Sequence, residues 1–190
     1  MTLAADRLRS KIPKMIPLTT SEPLGGYKSA FVREFGDFLA PNIHPVFDRP
    51  RLGAAEAATW AREQAARLAR DSQKPVLVKE TGFPHAGRQE YTPETQKAFW
   101  AVYLGPGVIA RLPDRRNVWV FHGVAFEAFD LPWKAEASGI PIEKSWGLLS
   151  AERQPYLCLS LWQVGRRVEG EERASPNEKG TRKYVGNSGP

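Results

Sequence analysis

Four apolar runs in this 190-residue chain each end on groups able to carry chemistry. Glu22 follows the first, Asn42 and His44 the second, Glu80 the third, and Glu127 and Asp130 the fourth. Carboxylates and imidazoles move protons or attack electrophilic carbon near neutral pH, and strand ends are where an α/β enzyme gathers such groups. Glu80 has the sharpest context. The stretch KETGFPHAG (79–87) puts one carboxylate directly after Val76, Leu77 and Val78, then turns the chain with Thr81, Gly82 and Pro84. A carboxylate held rigidly there can attack an anomeric carbon and form a glycosyl-enzyme that water later cleaves, provided a protonated carboxyl lies about 5 to 5.5 Å away. The other role open to Glu80 is an ion pair with Lys79 or a nearby arginine.

Sugar rings present apolar C–H faces that stack on aromatic side chains, while their hydroxyls need charged and amide partners. Phe47, Phe83, Phe129, Trp133 and Trp146 all lie in or beside the expected strand-end loops, interleaved with Asp130, Lys134 and Glu143. Core packing is the alternative fate of each aromatic, except Trp133, where the adjoining Pro132 predicts a loop.

The elements that must position these groups follow from periodicity. Ala4, Leu8 and Ile12 recur at helical spacing, and Met15–Thr19 reads as a strand ended by Ser21, Glu22 and Pro23. Residues 27–35 are weakly helical, and residues 38–44 form an apolar run stopped by Pro45. Residues 54–70 form an alanine-rich helix with Ala57, Trp60, Ala61, Ala65 and Leu68 on one face, leading to the strand 76–78. Thr92 is a good N-cap with Pro93 at the first helical position, and Gly105-Pro106-Gly107 ends that helix before a last strand at 118–126. Strands alternating with helices predict βα units and a parallel sheet. A complete eight-stranded barrel takes about 250 residues, so the four units expected here match about half of one. The expected fold class is therefore α/β, a partial (β/α)8 TIM barrel comprising about the last four βα units. Residues 1–164 are the barrel part, and 165–190 a polar tail expected to be disordered.

The net charge of +6 raises the question of nucleic acid, but the charges are scattered. Arg62, Arg67 and Arg70 alternate with Glu56 and Glu63, Arg111, Arg115 and Arg116 share a loop with Asp114, and the C-terminal basics mix with Glu169, Glu171 and Glu172. Solvated mixed-sign faces look like this, so no nucleic-acid partner is expected. Charged residues interrupt the first twenty positions, and no run reaches the roughly 18 apolar residues of a membrane span, so neither a signal peptide nor a membrane segment is expected in this chain. The single Cys158 fits a reducing compartment or an exported enzyme without disulfides, which leaves localisation open. Neither a cofactor nor a metal is expected.

The strings TTSEP (19–23), NIHPVFDR (42–49), KPVLVKETGFPHAG (74–87), VAFEAFDLPWK (124–134) and IEKSWGLL (142–149) resemble, in order, the second half of glycoside hydrolase family 17. These are the glucan β-1,3-glucosidases and laminarinases, and the resemblance covers about residues 5–162. It implies a retaining mechanism on an eight-stranded barrel, with Glu80 as the family's seventh-strand nucleophile and a β-1,3-glucan as substrate. It implies substrate-binding or charge-tuning roles for Asn42, His44, Asp130, Trp133, Lys134 and Glu143. Phe47, Phe83 and Trp146 are expected to line the site, with Glu22 as a helper. Phe83 stands where many members have Trp, and His85 where many have Ser. In the family the acid/base glutamate follows an asparagine at the end of the fourth strand, in a segment that would precede Ala4. The resemblance thus implies a hydrolase or transglycosylase fragment whose acid/base lies upstream. The alternative is an inactive glucan-binding or truncated half-barrel that needs a partner chain, with self-association through two open barrel edges.

Overall fold

The computed structural model describes residues 2–113 and 117–162; the loop residues 114–116 and the polar stretch 165–190, read above as a tail, lie outside the described residues. The chain begins with α1 (Thr2–Lys11), reaches β1 (Ser21–Pro23), and passes a 3-10 turn (Leu24–Lys28) and short α2 (Ala30–Glu34) to β2 (Ala40–Asn42). It continues through α3 (Pro45–Asp48) and α4 (Ala54–Ser72) to β3 (Val76–Leu77), then α5 (Pro93–Leu104), β4 (Ile109–Arg111), β5 (Trp119–Phe121) and α6 (Pro132–Ser138). Two 3-10 turns follow, at Pro141–Lys144 and Leu157–Trp162.

Helix α4 forms where the sequence removes reasons not to. Alanine dominates it, Glu56 reaches back to accept the Gly53 N–H at 3.2 Å, and Gln73 closes it in the left-handed region at φ 60°. Its stripe Ala57, Ala61, Ala65 and Ala69 is fully buried or nearly so, and such small side chains let the helix lie close against β3 and β5. Helix α5 is capped as expected: Thr92 accepts the Thr95 N–H at 3.2 Å, and Pro93 sits where its missing donor costs nothing. It buries Phe99, Trp100 and Tyr103 completely.

β1 pairs with β2 in parallel, with Pro23 beside Asn42. Bridges Leu39–Val76 and Asn42–Glu80 join β2 to β3, also in parallel, and Val76 and Leu77 lie beside Val120 and Phe121 of β5. Four parallel strands therefore stand side by side in chain order, as successive βα units require. One sheet face is sealed: Val76, Val78 and Val120 are fully buried. On the other, Leu77, Trp119 and Phe121 stay only half-buried.

Three expectations are corrected. The first strand is Ser21–Pro23 rather than Met15–Thr19; Pro17 removes a donor there, and Met15 is 87% exposed. Leu18 and Thr19 still follow the neighbouring segment, mostly through side chains: Leu18 N–H to Asp37 Oδ2 at 2.7 Å and Thr19 Oγ1 to the Phe38 carbonyl at 2.6 Å, beside one backbone bond from the Asp37 N–H to the Leu18 carbonyl. Pro132 opens helix α6 rather than a loop, because a first-turn proline is compatible with a helix. Finally, β4 pairs antiparallel with β5, Ala110 opposite Val120, so the sheet edge at β5 is occupied rather than open.

Candidate active site

β2 and β3 deliver their terminal residues to one place. Asn42 bridges Glu80, and the Ile43 N–H donates to the Glu80 carbonyl at 2.8 Å, so the two strand ends are locked in register. From there the Glu80 carboxylate, 24% exposed, meets His44 and Lys79. His44 Nε2 lies 3.4 Å from Oε2, and the Lys79 ammonium donates to Oε1. These contacts hold the Glu80 carboxyl down at about 2: the His44 hydrogen bond contributes most, burial opposes it, and Lys79 adds to it. Glu80 is thus a carboxylate at a strand end, ion-paired with Lys79 as one of its two readings from sequence expects.

An aromatic wall backs His44. Its ring meets Phe126 at 5.0 Å, Trp146 at 5.3 Å and Phe47 at 6.2 Å, all edge-on. Gly82 is required beside it, since a Cβ there would sit 2.1 Å from the Phe126 carbonyl oxygen. That close approach lets the Phe126 N–H donate to the Thr81 carbonyl at 2.8 Å, tying the loop after β3 to the loop after β5. Beyond Phe126, Glu127 Oε2 accepts from Lys134 at 2.7 Å, and the Lys134 ammonium lies 4.5 Å above the Phe126 ring. Burial raises the Glu127 carboxyl, Lys134 opposes the rise, and the like charges of Glu143 and Asp130 add to it. Four buried polar atoms without a partner among the described residues surround this region: His44 Nδ1, Thr81 Oγ1, Glu127 Oε1 and Trp146 Nε1.

The remaining expected residues divide. Phe47 and Trp133, 46% and 59% exposed, offer open aromatic surface, and Glu143 is half-buried on the 3-10 turn. Trp146 is fully buried and supports His44 rather than presenting a face to solvent. Asn42 Oδ1 accepts from Ser21 Oγ at 3.1 Å, and Glu22 Oε1 accepts from Thr20 Oγ1 at 3.0 Å. Glu22 stands level with Pro41, one step below the Asn42–Glu80 bridge. Two more of the expected residues are buried. Phe83 is a core residue, 3% exposed and stacked on Phe99 at 5.5 Å, because α5 lies directly behind the loop. Asp130 is 9% exposed, with both oxygens engaged by His85, Tyr156 and the Gly147 N–H. Lys79, Phe126 and Tyr156 were not among the expected site residues. Lys79 could have been promoted from its adjacency to Glu80, whereas nothing local marks Tyr156.

A groove of about 620 Å³ lined by residues including Tyr27, Arg49, Trp60 and Arg67 lies elsewhere and shares no residue with this site.

No protein-family model matches the chain. It is 28% identical over 151 residues to a protein named as the glucan endo-1,3-beta-glucosidase btgC of Aspergillus niger, an alignment covering 73% of this chain and 22% of that protein. Among solved structures, it is similar to a glycoside hydrolase family 17 beta-1,3-glucanosyltransferase from Rhizomucor miehei, with 21% identity and a TM-score of 0.63, covering 83% of this chain and 55% of that one. An active-site mutant of that Rhizomucor miehei enzyme in complex with laminaritriose aligns with a TM-score of 0.61 at 22% identity, over 81% of this chain and 54% of that one. The chain thus spans about half the length of the structures it resembles and under a quarter of the curated relative. The motif resemblance stands: the chain is similar to family 17 β-1,3-glucanases, and its mixed α/β fold corresponds to part of such a barrel.

Proposed function

We propose that this chain is the last four βα units of a retaining β-1,3-glucan hydrolase or transglycosylase, with Glu80 as its nucleophile. The observation that carries this reading is the ionised Glu80 carboxylate at the end of β3, hydrogen-bonded by the imidazole at the end of β2. A nucleophile must be deprotonated before substrate arrives, and a carboxyl held near pKa 2 is so at any physiological pH. Oε2 or Oε1 attacks the anomeric carbon as the glycosidic bond breaks, and the electron pair leaves with the aglycone oxygen. His44 holds the carboxylate's orientation, and Lys79 moves off Oε1 as the sugar's positive charge develops. Trp133 and Phe47 supply exposed aromatic faces for neighbouring glucosyl units, and Lys134, Glu127 and Glu143 supply polar partners for their hydroxyls. The protonated carboxyl that completes the pair comes from another polypeptide segment.

A second reading, a half-barrel that acts only when covered by a partner, is favoured by the half-buried Leu77, Trp119 and Phe121 on the second sheet face. Parallel sheets are ordinarily covered on both faces. The two readings share one test. Laminarin turnover by the 190-residue chain is expected to be about 10² to 10⁴-fold below that of a complete barrel, because the general acid is not supplied. Substantial turnover that persists in Glu80→Gln overturns the assignment of Glu80.

A further inference from the structure

We propose that Asp130, His85 and Tyr156 form a buried latch of positioning residues that fixes Trp146 and, through it, the His44 ring against Glu80. This rests on the reading of Glu80 as nucleophile.

The latch joins three segments distant in sequence. His85 Nε2 lies 3.1 and 3.0 Å from Asp130 Oδ1 and Oδ2, the Tyr156 hydroxyl donates to Oδ2 at 2.7 Å, and the Gly147 N–H donates to Oδ1 at 2.9 Å. His85 and Asp130 side chains are only 10% and 11% exposed, and the His85 ring lies 4.1 Å from the Tyr156 ring. Burial alone pushes the Asp130 carboxyl up; the bonds from His85, Tyr156 and Gly147 outweigh it and hold the group below the ordinary aspartate value. Three charge-assisted bonds on one buried carboxylate make a rigid node, since losing any donor strands an acceptor away from water.

The node's position gives it a functional direction. Gly147 is gripped from both sides: its N–H by Asp130, and its carbonyl by Gln96 Nε2 of α5 at 3.0 Å. A Cβ at Gly147 would fall 2.3 Å from the Leu149 carbonyl and 2.4 Å from the Asp130 nitrogen, so the approach admits no other residue. The preceding residue is Trp146, and the His85 N–H donates to the Ser145 carbonyl at 2.9 Å, so the backbone is fixed on either side of that indole. Trp146 then meets His44 at 5.3 Å, Phe126 at 5.5 Å and Phe47 at 5.9 Å. His44 in turn touches the Glu80 carboxylate. None of the latch residues contacts Glu80, so their effect on the nucleophile passes through Trp146 and His44.

The chain has three histidines, which makes the latch directly readable by nitrogen-detected histidine NMR. Signals of His44, His85 and His122 are compared across pH in the wild type, Asp130→Asn, Tyr156→Phe and His85→Gln, with thermal unfolding followed in parallel. In folded variants, the His44 nitrogen signals are expected to shift, with those of His122 unchanged. The rate of Glu80 glycosylation by an activated aryl β-glucoside is expected to fall about 10 to 10²-fold, as misplacement of a reacting group predicts. Tyr156→Phe, which removes one donor of three, remains informative if Asp130→Asn does not fold. Unchanged His44 signals in a folded Tyr156→Phe or His85→Gln variant overturn the latch. If the wild type is not glycosylated at Glu80, the nucleophile reading fails while the histidine signals still judge the latch.

Discussion

Neighbouring groups stabilise the Glu80 carboxylate, and that dependence has a measurable sign. Its carboxyl is lowered from 4.5 to about 2 by His44 and Lys79 against the pull of burial. A group depressed in the folded state stabilises the fold above its unfolded value and loses that contribution as pH falls toward the folded one. Wild type is therefore expected to exceed Glu80→Gln in stability by on the order of 1 to 2 kcal/mol above about pH 5, screening at half-exposed Lys79 included. The gap should close between pH 4.5 and pH 2, as denaturant unfolding across that range will show. A gap that widens on acidification contradicts the ion-pair geometry. At this scale the motif at 79–87 was legible because the carboxylate, the strand before it and the turn after it are contiguous. Phe83 and Asp130 were not, because their surroundings come from α5 and from Gly147 and Tyr156, which spacing alone does not bring near.

At the scale of elements, the helices read well and the short strands less so. Thr92-Pro93 and the alanine stripe of α4 are local signals that the structure keeps. β4 escaped notice because Ile109–Arg111 is three residues long, exposed at Ile109, and lacks an alternating pattern of useful length. Yet it covers an edge that would otherwise present unpaired N–H and carbonyl groups to a second chain. Ala110→Pro, at the centre of the β4–β5 pairing, is expected to release that edge and make the protein associate in a concentration-dependent manner. Sedimentation at several concentrations checks this, and a variant that associates no more than the wild type would show that β4 does not guard the edge.

On the scale of the whole molecule, one asymmetry organises the account. Helices α4 and α5 and the stack of Phe83, Phe99 and Tyr103 complete a core behind the sheet, with ring separations of 5.5 Å at both steps. His122 extends that core, its Nδ1 2.9 Å from the Tyr103 hydroxyl and its pKa driven down to about 3 by burial, so it serves the fold rather than the chemistry. The opposite face, with Leu77 and Phe121 side by side, remains half-covered, and Glu80 stands at its rim. The βα order was legible from alternating runs; the uneven cover of the two faces was not, because both faces of a parallel strand read as the same apolar run.

The most direct test is to trap the nucleophile. A dinitrophenyl β-glucoside fluorinated beside the anomeric carbon carries a leaving group that needs no acid, and the fluorine slows hydrolysis of the glycosyl-enzyme. Incubated with the chain and followed by peptide mass spectrometry, it is expected to add one glycosyl group to the peptide containing Glu80, and none in Glu80→Gln. A folded protein that gains no adduct, or gains it on another residue, contradicts the account.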